Sequence, residues 1–243
     1  MQIEGKNPVL EALNSDITIN KFFASNQLFD KESNKIIALA KDKGVRIDFV
    51  KKDLLDKKST TGRHQGFIVE TVEFSYSSVD AILALAKLKN EDPFVLLLDE
   101  INDPHNLGAI IRSAECAGAH GIVIPEHRSC PVNETVLRTS AGAASGILIA
   151  KINNIKNAMT TLKDAGVWIF AAELGGKDIY KTNLKGPIAI VIGSEGEGIH
   201  KSVKEAADDV ISLPMYGKVN SLNASVSTGI VLYEVLRQRQ GVK

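Results

Sequence analysis

The residues best suited to ligand chemistry lie in three polar loops that border apolar segments. The first loop, residues 103–113, contains Asn106 and Arg112, the second is the glycine-rich stretch 193–198, and the third is the serine-rich stretch 221–228. In α/β proteins, loops at strand ends are where ligand chemistry is concentrated, because a rigid sheet holds them in place. The three loops therefore predict a binding site at one edge of a sheet.

The second loop is not typical of a phosphate site. Its three glycines let backbone amides approach a ligand, but Glu195 at its centre would repel phosphate groups. The loop lacks the Lys-Ser/Thr ending of a P-loop, and no Gly-x-Gly-x-x-Gly motif follows the strand that ends at Asp99. A surface turn remains the alternative, and Glu197 is expected to face solvent.

Structural roles also remain open for the other polar residues. Asn106 is suited to capping a helix, and Arg112 is suited to a surface ion pair. Ser221 and Asn223 precede an apolar helix and are suited to capping it. That stretch nevertheless holds more polar groups than one cap needs, which favours a ligand.

Apolar spacing indicates which elements carry these loops. In the N-terminal part it predicts helices at 7–13 and 31–43 and strands at 19–23, 45–50 and 66–72, and a helix at 79–88 follows. Beyond that it predicts strands at 94–99, 121–125, 147–150, 167–170, 188–192 and 210–213, which alternate with helices at 107–118, 135–143, 155–165, 201–207 and 224–238. Near-continuous apolar strands of this kind predict a parallel sheet covered on both faces, and Trp168 is assigned to its core.

These elements predict a compact α/β module at residues 1–76, a linker at 77–92 and a second domain at 93–243. Composition is ordinary for a globular protein, with 44% hydrophobic and 24% charged residues in 243. No apolar run is long enough to span a membrane and the N-terminus does not look like a secretory signal, so we expect a cytoplasmic protein. The two cysteines, Cys116 and Cys130, have no metal-like spacing, so neither a disulfide nor a metal site is expected.

The net charge of zero argues against nucleic-acid binding over the whole surface. One local stretch, residues 41–63, is basic, with eight Lys or Arg against four Asp, and His64 follows it. This stretch is compatible with RNA contact or with an ordinary solvated surface.

The three loops resemble the sequence motifs of the SpoU (TrmH-type) RNA ribose 2′-O-methyltransferases. Residues 106–112 match the first motif, 188–198 the second and 211–223 the third. Residues 1–76 resemble the small RNA-binding substrate domain of several members, including its Glu4-Gly-Lys-Asn-Pro-Val start and its Gly62-Arg-His-Gln-Gly66 loop. The resemblance covers essentially the whole chain.

The resemblance implies a C-terminal trefoil-knotted, parallel-sheet (SPOUT) methyltransferase domain with a small N-terminal α/β RNA-binding domain, acting as a homodimer with S-adenosylmethionine and without a metal. It implies these cofactor-binding positions: Gly193, Glu195, Gly196, Leu213, Met215, Ser221 and Leu222. The implied catalytic positions are Asn106, Arg112, Glu195, Ser221 and Asn223. The implied RNA-binding positions are Lys6, Arg63, His64 and Gln65.

The implied reaction is methylation of a guanosine ribose in 23S rRNA, either free or in a large-subunit precursor. Related enzymes that act on tRNA or on an rRNA adenosine share the motifs, and a non-catalytic RNA-binding ribosome-assembly factor is the alternative from another class. Because its guanidinium stays protonated, Arg112 is expected to grip the RNA phosphate or to stabilise the forming alkoxide. Glu195, Ser221 and Asn223 would orient Arg112, the cofactor or the 2′-hydroxyl.

Overall fold

The computed structural model describes residues 2–14, 19–28, 30–71, 74–218 and 221–240. Val72, the predicted end of a strand, and Asn220, in the third motif, lie outside these residues. The chain forms two compact units, Met1–Ser75 and Tyr76–Lys243. None of the helices described is long and apolar enough to cross a lipid bilayer. Cys116 is exposed and Cys130 is buried.

The first unit is a four-stranded sheet with three helices. Its elements in chain order are β1 Gln2–Glu4, α1 Lys6–Asn14, β2 Ile19–Ser25, α2 Lys31–Asp42, β3 Ile47–Val50, α3 Lys52–Lys58 and β4 Phe67–Thr71. The strand order is β1-β4-β2-β3, and only the β2–β3 pair is parallel. Apolar residues of α1 and α2, such as Val9 and Ile36, pack with Phe22 and Phe67 of the sheet in one core.

Two elements of this unit were not predicted from the sequence. Strand β1 has only three residues, all half-buried, so it shows no apolar pattern. Helix α3 lies within the basic stretch and buries a single side chain, Leu55, so its apolar spacing is too sparse to read.

The second unit contains the predicted parallel sheet. Its elements are α4 Val79–Lys89, β5 Phe94–Leu98, α5 Pro104–Cys116, β6 Gly121–Pro125, α6 Glu134–Thr139, β7 Leu148–Ile152, α7 Ile155–Asp164, β8 Trp168–Asp178, β9 Ile188–Ile192, α8 Lys201–Lys204, β10 Asp209–Ser212 and α9 Ala224–Arg239. All five strand pairs are parallel, in the order β10-β8-β9-β5-β6-β7. Strands β5 and β9 are buried along their whole length, as near-continuous apolar strands require.

Strand β8 continues well beyond the predicted end at residue 170. The sequence did not predict the second half because it is polar and shows no apolar pattern. Its pairing with β10 shifts register between Val210 and Ile211, so that residues 172–176 of β8 have no partner in β10. Gly176 allows the two backbones to approach here, since a Cβ at this position would lie 2.7 Å from the Val210 carbonyl. Residues 172–174 border a cavity.

The assignment of Trp168 to the core is wrong, because its side chain is 51% exposed. Trp168 is the first residue of β8, whereas β10 begins to pair only at Phe170. Trp168 therefore has no partner in β10. Helices α6 and α8 are also shorter than predicted, and α6 is followed by a 3₁₀ turn at Ala143–Ser145.

Helix α4 lies in the segment predicted as a linker. It packs into the core of the second unit through Val79 and Ile82, beside Val95 of β5 and Val123 of β6.

The parallel sheet brings the three motif loops to one edge. Strands β5, β9 and β10 all run in the same direction, so the loops that leave Leu98, Ile192 and Ser212 emerge at the carboxyl edge of the sheet. Helices α5 and α9 begin at this edge and pack against each other.

Candidate active site

Three predicted site residues form one hydrogen-bonded cluster. The amide of Asn106 donates to Oε1 of Glu195 at 3.1 Å, and the amide of Asn223 donates to the Asn106 carbonyl oxygen at 3.0 Å. The Asn223 amide also donates to Oε1 of Glu195, which accepts a further hydrogen bond from the Ala224 backbone at 3.2 Å. Neutral donors from two helix starts thus surround a single carboxylate oxygen.

Helix caps hold the two asparagines in place. Asp103 caps α5 by accepting from the His105 backbone at 2.7 Å, so Asn106 is not the cap but lies buried in the first turn. Asn223 does cap α9, and its carbonyl oxygen accepts from the backbones of Ser225 and Val226. The amide hydrogens of Asn223 are therefore aimed away from the helix, at Asn106 and Glu195.

The glycine-rich loop that carries Glu195 closes on itself. Ser194 and Gly198 exchange two backbone hydrogen bonds of 3.1 Å. A Cβ on Gly193 would collide with the backbone of Gly198 and Ile199, so only glycine fits there. Gly196 has open space beside it, where a ligand can approach the backbone.

A cavity of about 380 Å³ lies between this loop and the segment after β10. All seven predicted cofactor positions line it, namely Gly193, Glu195, Gly196, Leu213, Met215, Ser221 and Leu222. Its volume and its mixture of apolar side chains and loop backbone suit a small organic ligand. The end of β8 adds Ala172, Glu173 and Leu174, which the sequence did not identify because no motif covers them.

A second cavity, of about 410 Å³, lies on the other side of the same loop. Glu195 and Ala224 line both cavities, and Asn106 lines the second. Carboxylates of Glu100, Asp103 and Glu197 give this second cavity an acidic lining.

The remaining two predicted catalytic residues lie outside the hydrogen-bonded cluster. Ser221 is exposed at the cavity rim, and its hydroxyl has no hydrogen bond with the part of the chain described. Arg112 is exposed on α5 and has no ion pair or hydrogen bond with any described residue. It is six residues beyond Asn106, which places it about 120° around the helix from that residue.

One group of side chains in this region has the chemistry of a metal site. Ligand atoms of Glu100, Glu197 and His200 lie within 4.8 Å of one another. The carboxylate of Glu100 already faces Arg128 at 3.5 Å, and His200 lies 3.3 Å from the buried Asp99. Glu100 and His200 therefore already have partners within the protein.

In the first unit, the predicted RNA loop is fixed by Glu4. Its carboxylate accepts hydrogen bonds from the hydroxyls of Ser59, Thr60 and Thr61 and from the Thr60 backbone, at 2.5–2.9 Å. Partial burial opposes ionisation, but the four hydrogen bonds outweigh it and lower the pKa of Glu4 to about 2.

The four predicted RNA-binding residues differ in exposure and in hydrogen bonding. Arg63 and Gln65 are exposed, and the Gln65 side chain accepts from the Lys6 backbone at 3.0 Å. The Lys6 ammonium is paired with Asp30 at 2.9 Å. The prediction that His64 contacts RNA needs correction, because this residue is only 4% exposed.

His64 supports the loop from within. Its Nδ1 accepts from the Gly66 backbone at 3.0 Å, so the proton is on Nε2, which donates to Asp56 at 2.8 Å. Both ring nitrogens are therefore occupied.

Comparison with known proteins identifies the family. Residues 93–233 match the model of the SpoU rRNA Methylase family, and residues 2–77 match the model described as RNA 2′-O ribose methyltransferase substrate binding. Bacillus subtilis YacO, assigned to the TrmH family of tRNA/rRNA methyltransferases, is 41% identical over 240 residues, which are 98% of this chain and 96% of YacO.

Two further proteins align over most of the chain. RlmB of Vibrio parahaemolyticus, a 23S rRNA (guanosine-2′-O-)-methyltransferase, is 37% identical over 92% of each chain. The crystal structure of the SpoU methyltransferase AviRb from Streptomyces viridochromogenes, in complex with AdoMet, has a TM-score of 0.63 at 21% identity and covers 99% of this chain and 91% of its own. The matches confirm the predicted RNA methyltransferase class and the predicted fold of a parallel-sheet methyltransferase domain with a small N-terminal domain. Since one family model spans more than half of the chain and relatives align over nearly all of it, the chain belongs to the SpoU methylase family of RNA 2′-O-ribose methyltransferases.

Proposed function

We propose that the protein methylates the ribose 2′-hydroxyl of a guanosine in 23S rRNA with S-adenosylmethionine as methyl donor. The observation that carries the proposal is that all seven motif-matched cofactor positions line one cavity, whose wall holds Glu195 of the Asn106–Glu195–Asn223 cluster. The guanosine and the 23S rRNA are inferred from the similarity to RlmB over both units.

The cavity residues suit this cofactor. Leu213, Met215 and Leu222 offer apolar walls for an adenine ring, and the backbone around Gly193 and Gly196 can hydrogen-bond its edge. When bound, S-adenosylmethionine would supply a methyl group from its sulfonium: the 2′-oxygen would bond to the methyl carbon as the carbon–sulfur bond breaks, leaving a neutral thioether, and the hydroxyl proton would pass to water.

Side chains of the protein would orient the 2′-hydroxyl and stabilise the negative charge that develops on its oxygen during the reaction. Asn106 is buried and uses only one of its two amide hydrogens within the cluster, so the other can reach a substrate oxygen. Arg112 has no described partner, so its guanidinium is available for a phosphate or for the forming alkoxide. Glu195 accepts three neutral donors and therefore acts as the group that orders both asparagines.

The first unit would hold the RNA. Arg63 is an exposed cation on a loop fixed by Glu4, and the basic stretch 41–63 lies in the same unit. Cations on a fixed loop suit the phosphate backbone of a folded RNA.

We further propose a homodimer, in which Arg112 of one protomer serves the shared site. Helix α9 exposes Val226, Ile230 and Tyr233, with fractional exposures of 51%, 37% and 53%, at the spacing of a single helix face. Arg112 is on α5, which packs against α9, and a Cβ built on Gly229 of α9 would lie 3.9 Å from the Ser113 hydroxyl of α5. A second copy packed on this face would cover the apolar side chains. The cytoplasmic location and the trefoil knot stay predictions.

The test is transfer of labelled methyl from S-adenosylmethionine to rRNA and tRNA from cells that lack this protein, with the modified nucleoside mapped afterwards. Label in 2′-O-methylguanosine of 23S rRNA is the expected result. Label in tRNA, or on an rRNA adenosine, would contradict the substrate but keep the reaction. Cofactor binding without transfer to either RNA or to ribosomal subunits would favour a non-catalytic assembly factor.

A further inference from the structure

Glu173 lines the proposed cofactor cavity, and only one of its two carboxylate oxygens has a hydrogen-bond partner among the described residues. Its Oε1 accepts from the ammonium of Lys204 at 2.9 Å. Its Oε2 is buried and has no hydrogen-bond partner among the residues described. The side chain is 28% exposed and lines both the cofactor cavity and a neighbouring groove that contains Lys204 and Glu205.

A buried carboxylate oxygen without a donor is unfavourable, because it has lost water and gained nothing in return. One other buried side-chain atom of the described chain shares this state, Nε of Arg239. That guanidinium still donates to three backbone carbonyls and stacks on Phe94, so its charge is well supported. Among the described residues the Glu173 carboxylate has only Lys204 as a partner, and it borders a cavity that a ligand can fill.

We propose that Glu173 binds the ribose hydroxyls of S-adenosylmethionine, an inference that rests on the cofactor cavity proposed above. A vicinal diol offers two neutral donors, which match a carboxylate, and acidic side chains bind ribose hydroxyls in the same way in dinucleotide-binding folds. The α-ammonium of the cofactor is a poorer match, because Lys204 already places a positive charge beside Glu173. The adenine edge is served by the loop backbone.

A small rotation makes the contact possible. The terminal torsion of a glutamate is soft, so the carboxylate can turn about its last bond while one oxygen stays with Lys204. The carboxylate faces the glycine-rich loop, since a Cβ built on Gly198 would lie 4.0 Å from the Glu173 carboxyl carbon.

The first experiment measures the Kd of S-adenosylmethionine by calorimetry. Glu173→Ala and Glu173→Gln should each weaken binding about tenfold or more, the effect of losing hydrogen bonds to a charged acceptor. Lys204→Gln is the matched control, because it breaks the ion pair but keeps the carboxylate, and it should change Kd less than about twofold. An equal loss in Lys204→Gln would show that the ion pair matters rather than the ribose contact, and would overturn the inference.

The second experiment identifies the ligand group with 5′-methylthioadenosine and its 2′,3′-dideoxy analogue, neither of which has the ammonium. Removal of both hydroxyls should weaken binding to the wild type about tenfold, but binding to Glu173→Ala less than about twofold. Equal losses in both proteins would overturn the inference. So would a Glu173→Ala effect that appears with S-adenosylmethionine and disappears with 5′-methylthioadenosine, because that pattern assigns the contact to the ammonium.

A blocking variant separates this inference from the proposed cavity. Leu222 is 39% exposed at the cavity, so Leu222→Arg should fill the cavity without unfolding the protein, as thermal unfolding would verify. Lost cofactor binding in Leu222→Arg together with normal binding in Glu173→Ala would overturn the role of Glu173 alone. Normal binding in Leu222→Arg would overturn the cavity assignment and the inference with it.

Discussion

At the scale of single residues, the site is built around one carboxylate oxygen with three donors. Glu195 lies 89 positions after Asn106 and 28 before Asn223. The sequence identified all three residues by type and motif, but not their mutual hydrogen bonds. Those bonds depend on the order of strands in the sheet, which local patterns do not contain.

The proposed role of Arg112 can be tested directly by its effect on the rate of methyl transfer. Arg112→Ala should lower the single-turnover rate of methyl transfer at least about a hundredfold, because a donor aimed at developing negative charge is lost. The Kd of S-adenosylmethionine should stay within about twofold of the wild type, since Arg112 does not line the cofactor cavity. Rapid-quench methylation assays and calorimetry measure the two quantities.

Arg112→Lys is the conservative control, because it keeps the charge and loses the planar fork. It should recover a minor part of the rate. A wild-type rate in Arg112→Ala would remove this residue from the mechanism.

At the scale of elements, helix α9 and the site share one residue. Asn223→Ala removes the helix cap and the donors to Asn106 and Glu195. Loss of the cap costs about 1 kcal/mol, which lowers the Tm of the second unit by about 2–4 °C. The methylation rate should fall as well, and calorimetry with a rate assay follows both effects.

Asn223→Ser separates the two roles. Serine caps helices but has no amide hydrogens to donate to both partners, so the Tm should return to within about 1 °C of the wild type while the rate stays low. Recovery of both quantities would show that Asn223 acts only as a cap.

The loop held by Glu4 gives a prediction about pH. Glu4 has its pKa lowered from 4.5 to about 2, so the stability that its carboxylate provides is present above pH 4.5 and is lost as the pH falls toward 2. The difference in free energy of unfolding between wild type and Glu4→Gln should therefore be constant from pH 6 to 5 and shrink progressively below about pH 4.5. Urea unfolding followed by circular dichroism at each pH measures it.

Glu11→Gln is the matched control, because Glu11 is exposed on α1 and makes no hydrogen bond or ion pair with the residues described. Its difference from wild type should remain near zero throughout. A Glu4→Gln difference that does not change below pH 4.5 would contradict the role assigned to the loop hydrogen bonds.

Most elements could be read from the sequence because buried parallel strands are nearly uniform in apolar residues. The exceptions follow a physical pattern. Strand β1 is too short for periodicity, and the second half of β8 is polar because it borders a cavity. The burial of His64 could not be read either, since its neighbours along the chain are polar and its burial comes from contacts with Asp56 and Gly66.

At the scale of the whole molecule, the proposed dimer makes a prediction about the exposed face of α9. Ile230→Asp places a charge in the middle of the apolar face formed with Val226 and Tyr233. If two copies meet there, burial of the charge is prohibitive, and the protein should become monomeric by analytical ultracentrifugation and lose methylation.

Leu88→Asp is the control for this change. Leu88 is an apolar residue with 84% exposure at the end of α4, so a charge there should leave both the oligomeric state and the activity unchanged. A dimer that persists in Ile230→Asp would contradict the proposed interface.

Asn223 of the hydrogen-bonded cluster opens α9, and the apolar face of the same helix begins only a few residues later. If the proposed dimer forms through this face, activity per molecule should depend on dilution. Below the dissociation constant of the dimer, the specific activity should fall as the enzyme is diluted. The concentration of this protein in a cell would then determine both the number of enzyme molecules and the fraction of them that is dimeric and active.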